Sequence, residues 1–151
     1  MSKDALKFFQ SYIEEMVDIG GKNLPKSVST KLGAKLGKIY KKKRIKDFSS
    51  AVKKSFKVLG AKTKIVKLNE NKYEIKVKHK HKFCPIGGKY SPEKAEFVQK
   101  TICVPFYIGF LNELNPEIKY NITVQKCIVN SHTNLCKFLL FPEKKDKVKI
   151  D

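Results

Sequence analysis

Four cysteines and three histidines are the side chains in this sequence best suited to metal chemistry. Cys84, Cys103, Cys127 and Cys136 all fall in the second half, each at the edge of a predicted element. Thiolates hold zinc tetrahedrally at about 2.3 Å, and an iron–sulfur cluster takes the same four donors. Buried, unliganded thiols are equally compatible with the residue type, because free cysteine is a common core residue. No C-x2-C knuckle is present, so any convergence must come from the fold. His79 and His81 lie two apart on a predicted strand, which puts both rings on its apolar side near Cys84. They either cap the rim of the core or serve as metal or ligand contacts. His132, in the polar turn between Cys127 and Cys136, is expected to face solvent and is a third substitute ligand.

The elements that must position these residues follow from periodicity. Leu6, Phe9, Ile13, Met16 and Val17 recur at helical spacing behind a Ser2 or Asp4 cap and stop at Gly20-Gly21. Val28, Leu32, Leu36, Ile39 and Tyr40 predict a second helix after Pro25, and Phe48, Val52, Phe56 and Leu59 a third, closed by Gly60. Gly33 and Gly37, four apart, let another backbone approach the second helix, within one subunit or across a dimer.

Two strands, Thr63 to Leu68 and Tyr73 to Phe83, flank the turn Asn69-Glu70-Asn71-Lys72. In the second, Tyr73, Ile75, Val77, His79, His81 and Phe83 share the core face; Lys72, Glu74, Lys76, Lys78, Lys80 and Lys82 face water. Ser91-Pro92 opens a helix carrying Ala95, Val98 and Ile102. Pro105 kinks that helix or restarts it from Val104 to Leu114. A strand from Tyr120 to Cys127 and another from Leu135 to Phe141 complete the set, and their hairpin brings Cys127 towards Cys136. Fraying is expected in the charged tail from Pro142. The order predicts a single α+β domain over 1–151: a helical part over 1–60, a sheet-and-helix core over 61–141 and a tail over 142–151. Its largely antiparallel sheet of about four strands packs on helices.

Composition narrows the function classes. At 151 residues, with 41% hydrophobic and 11% aromatic residues, the chain supports a packed core despite a net charge of +19. Of 33 basic residues only Arg44 is arginine, which favours diffuse attraction to polyanions over sequence reading. Weak, non-specific nucleic-acid binding at low salt is therefore expected. The N-terminus lacks the pattern of a secretory signal, and the longest apolar run, Val104 to Leu111, has eight residues, so no membrane association is expected. The expected location is cytoplasmic, where the cysteines would be thiols or metal ligands.

A family resemblance rests on the segment from Cys84 to Phe141. It contains Cys84-Pro85, then Cys103-Val104-Pro105 followed by Tyr107, Gly109, Phe110 and Leu114, then Cys127, a polar turn, and Cys136-Lys137-Phe138. This order resembles the 4-vinyl-reductase (4VR) domain, and the whole chain is similar to small stand-alone archaeal, methanogen-like members. The resemblance implies a fold related to transport-particle subunits, a hydrophobic small molecule between sheet and helices, and commonly a homodimer. It also implies a zinc site with Cys103, Cys127 and Cys136 as ligands. Val124 and Gln125 stand where the family's glutamate ligand is expected, so Cys84 takes the fourth place, with His79 or His81 as substitutes.

The leading expectation is a ligand-binding module with a structural metal site and a sensor or accessory role. Its candidate pocket walls are Tyr73, Ile75, Val77, Phe106, Tyr107, Phe110 and Phe138, residues that any core would also use. The alternatives are an enzyme, either reductase-like or a zinc hydrolase, and a basic nucleic-acid binder. For the enzyme, no G-x-G-x-x-G or H-E-x-x-H pattern is present.

Overall fold

A computed structural model describes residues 3–45 and 47–145. Three helices come first: α1 (Lys3–Gly20), α2 (Asn23–Lys42) and α3 (Phe48–Lys57). The hairpin β1 (Lys62–Asn69) and β2 (Lys72–Lys78) follows, then α4 (Pro92–Val98), a π-turn (Gln99–Cys103) and α5 (Val104–Leu114). The chain closes with β3 (Ile118–Lys126), a 3-10 turn (Ile128–Asn130) and β4 (Leu135–Lys144). The expected Ser2 cap and the tail beyond 145 lie outside the described residues.

All strand pairs are antiparallel, in the order β1-β2-β4-β3. The architecture is therefore the α+β class that the element order predicts. Ile75, Val77, Phe110, Leu111 and Leu140 form the centre of the core, almost wholly screened from water. Val52 and Phe56 of α3 and Tyr40 of α2 close it from the helical side.

The α2–α5 crossing depends on three glycines. A Cβ on Gly33 would lie 2.0 Å from the Phe106 carbonyl oxygen, one on Gly109 2.2 Å from that of Thr30, and one on Gly37 2.9 Å from that of Phe110. Backbone thus meets backbone, and the Gly33/Gly37 pair makes a contact within the chain. The π-turn precedes Pro105, which lies in the first turn of α5. Its wider winding accommodates a ring that would clash with the carbonyl four residues back.

Several boundaries differ from the sequence reading. β2 ends at Lys78 rather than Phe83, because Lys78 pairs with Lys62, the first residue of β1, and with Leu135, the first of β4. Neither neighbour reaches further. β4 runs through Pro142 to Lys144 instead of stopping at Phe141. Its pairing with β2 ends at Leu140, so Pro142 pairs only with Tyr120 of β3 and its missing N–H breaks no second ladder. Of the apolar residues read as the inner faces of α1 and α2, Ile13 and Tyr40 are buried, whereas Phe9, Leu32 and Ile39 are exposed.

Candidate functional site

Hairpin geometry delivers the first two cysteines together. Cys127 follows the last residue of β3 and caps the 3-10 turn, its Sγ accepting a hydrogen bond from the Val129 N–H at 3.4 Å. The Asn130 side chain returns the favour, accepting from the Cys127 N–H at 3.1 Å. Cys136, second residue of β4, pairs in register with Val77 and points into the same patch. Interaction with Cys136 pulls the Cys127 thiol below its usual range and pushes that of Cys136 up. Gln99 of the π-turn also draws the Cys127 thiol down.

Cys84 arrives from a different part of the chain. Its N–H and carbonyl both bond Gly88, at 2.8 and 2.9 Å, closing a small loop whose Gly88 has a φ of +83°. That loop needs glycine twice, since a Cβ on Gly87 would strike Val129 at 2.6 Å. Cys84, Cys127 and Cys136 share one apolar cluster with Ile128 and Val129. Cys103 ends the π-turn, and burial, reinforced by the fields of Cys84 and Cys127, holds its thiol well above the usual range. Burial likewise raises Cys84. All four thiols are thus electrostatic neighbours. Even so, among the described residues no three His, Cys, Asp or Glu side chains stand close enough together to hold a metal ion.

The histidines separate. His79 is buried, and burial lowers its pKa. Its backbone is clamped to Asn134 by two 2.8 Å hydrogen bonds, N–H to the Asn134 carbonyl and carbonyl from the Asn134 side chain. His81, beyond the end of β2, is exposed. His132 is also exposed and stacks on Tyr90, with ring centres 3.8 Å apart.

Between sheet and helices the candidate pocket residues gather as one aromatic assembly. Tyr107 stacks on Phe56 at 4.9 Å and meets Phe138 at 6.2 Å and Phe110 at 6.1 Å. The Tyr107 hydroxyl lies 3.2 Å from the Ser55 hydroxyl, and burial raises its pKa strongly. Phe106 packs edge-on against Tyr107 at 5.3 Å. Ile75 and Val77 are fully enclosed. Tyr73 lies at the margin, edge-on to Phe48 at 4.9 Å, in the wall of an open groove of about 660 Å³. A second groove, of about 470 Å³, runs between α5 and β3, with Val104, Pro105, Ile108, Ile122 and Val124 as apolar walls.

The sequence reading missed Ser55, Phe56 and Gln99. Phe56 was legible as helical core, but its place over Tyr107 depends on how α3 lies across α5, which periodicity does not encode.

The fold has a solved counterpart. A trafficking protein particle complex subunit 3 from Naegleria fowleri, in a structure covalently bound to palmitic acid, superposes with a TM-score of 0.66 at 12% identity, covering 93% of each chain. This chain has that fold. No family model and no curated protein matches the sequence. Among the described residues no helix is long and apolar enough to cross a membrane.

Proposed function

We propose that the protein is a binding module of the 4VR type, holding a hydrophobic small molecule between sheet and helices in a sensor or accessory role. The observation that carries this reading is the Phe56–Tyr107–Phe138 assembly, which surrounds a polar Tyr107 hydroxyl in an otherwise apolar layer. A few polar groups in an aromatic chamber are the usual composition of a small-molecule site. The fold counterpart, solved covalently bound to palmitic acid, adds support. Room for a ligand would come from Tyr107 and Phe138 turning outward.

The four thiols have the right chemistry for a structural metal ion, zinc before an iron–sulfur cluster, and would have to draw closer together than they stand to hold one. Cys84, Cys103, Cys127 and Cys136 would hold it, and the bound cation would keep the thiolates charged while leaving no open position for turnover. His79 is the substitute nearest in character, being buried and inclined to stay neutral.

A second copy of the chain is the proposed partner. Phe8, Tyr12 and Ile19 form an exposed stripe on one side of α1, and Leu32 and Ile39, seven apart, form another on α2. Covering them in a dimer explains why these helices are apolar on two sides.

Native mass spectrometry of freshly purified protein, paired with elemental analysis, tests the reading. A retained apolar ligand and about one zinc per chain are expected, with zinc lost in Cys127→Ser and Cys136→Ser. Unchanged metal content in both variants contradicts the proposed ligands; a protein that neither retains nor takes up apolar probes contradicts the chamber.

A further inference from the structure

The outer face of the sheet carries a feature that ligand binding does not use. Lys64 pairs with Lys76, Lys76 with Lys137, and, across a bulge that follows Val124, Lys137 with Lys126. One lysine from each of the four strands therefore stands in a single row across the sheet. With strands about 4.8 Å apart, the row is roughly 14 Å long. Lys62 and Lys78, also paired with each other, extend it on one side.

Like charges directly opposite on a sheet destabilise it. Glu74 bridges Lys76 and Lys137 at 3.4 and 3.3 Å, but among the described residues neither Lys64 nor Lys126 makes an ion pair. The other carboxylate on this face, Glu143, is paired in register with Lys119 at the opposite end of β3. Six cations thus share one carboxylate, on strands held in place by their hydrogen-bond ladders.

We propose that this row binds the phosphate backbone of a nucleic-acid duplex without reading its sequence. Lysine presents a point charge suited to phosphate, and the absence of arginine here removes the residue that best reads base edges. A duplex is favoured over a single strand because, among the described residues, this face offers no exposed aromatic platform for unpaired bases: Phe141 is half-buried, with the Lys72 ammonium 5.9 Å from its ring centre. It is favoured over a lipid surface because Leu139, the apolar residue at the centre of the face, is buried and cannot insert. The exposed aromatics lie elsewhere: Phe8, Phe9 and Tyr12 on α1, and Tyr90 in the loop before α4.

Binding of a fluorescent 20-base-pair mixed-sequence DNA duplex, titrated from low to physiological salt, tests the proposal. The wild-type affinity should fall steeply with salt, with a log–log slope of about −0.9 per phosphate neutralised. Lys64→Thr/Lys126→Thr leaves both Glu74 pairs intact and should flatten that slope by about two units. A charge-matched control, Lys31→Thr/Lys35→Thr on α2, should leave the slope as in the wild type. Thermal melting of each variant establishes that it is folded. The proposal is overturned if the duplex does not bind at low salt or if both double variants lose affinity equally. It is also overturned if vesicles containing phosphatidylglycerol bind through the same lysines more tightly than duplex at equal phosphate concentration.

Discussion

On the covered face of the sheet, Val77, Cys136, Ile75 and Phe138 meet helices; one residue along those strands Lys76 and Lys137, flanked by Lys64 of β1 and Lys126 of β3, meet water. The inner positions are fixed by packing, since a protein interior has almost no spare volume. At the outer positions any soluble side chain would serve the fold, and a row of like charges is among the poorer choices. The difference separates two kinds of information in one sheet. Inner residues answer for stability, whereas the outer lysines are free to serve the duplex binding proposed above.

The largest effect expected is on the covered side, at the helix crossing behind the sheet. Gly109→Leu would drive a side chain into the Thr30 carbonyl, where even a Cβ lies 2.2 Å away. Separating α2 from α5 should cost about 3 kcal/mol or more in denaturant melts. A variant as stable as the wild type would show that this crossing is not what holds the inner layer. Next comes a matched pair from the two faces. Ile75→Ala, at a fully buried site, should cost about 2–5 kcal/mol, while Lys64→Ala, across from Lys76, should stay within about 0.5 kcal/mol. Similar losses for the two would erase the distinction between faces.

Much of this division was legible in the chain. The alternation from Lys72 to Lys78 assigns each residue to its face, and the close of α3 ahead of Gly60 follows from local chemistry. What alternation cannot report is where a strand loses its partners. Lys80, His81, Lys82 and Phe83 continue the β2 pattern, yet β1 and β4 have already ended, so His79 is buried and His81 is not. The lysine row was hidden for the same reason: four residues from four strands become neighbours only through register. Cys127 and Cys136 were foreseeable as a hairpin pair, but the approach of Cys84 and Cys103 depends on a glycine loop and a π-turn, for which no short spacing stands as a sign.

A smaller effect is expected at the start of α3, the helix that roofs β1. Asp47 accepts from the Ser50 N–H at 3.1 Å, which holds its carboxyl below the ordinary value. Asp47→Ala should cost about 0.5–2 kcal/mol at neutral pH. Because the folded pKa is depressed, this contribution is fully present above the ordinary value of 3.8 and is lost as pH falls through the lower folded value. Wild type and variant should therefore converge on acidification; a gap that persists at low pH would assign the loss to packing of α3 instead of its cap.

The smallest effect has the opposite sign and bears most directly on the two faces. Lys64→Thr/Lys126→Thr removes two like-charge neighbours from the outer row and places residues of good strand propensity in their stead. Stability should rise by about 0.2–1 kcal/mol at low ionic strength, and the gain should shrink in high salt, where the repulsion is screened. A gain of this kind, together with weakened duplex binding, would mean that the outer face trades stability for attraction. If the variant is less stable than the wild type at every salt concentration, the lysines contribute to the sheet through their aliphatic stems, and their alignment needs no partner to account for it.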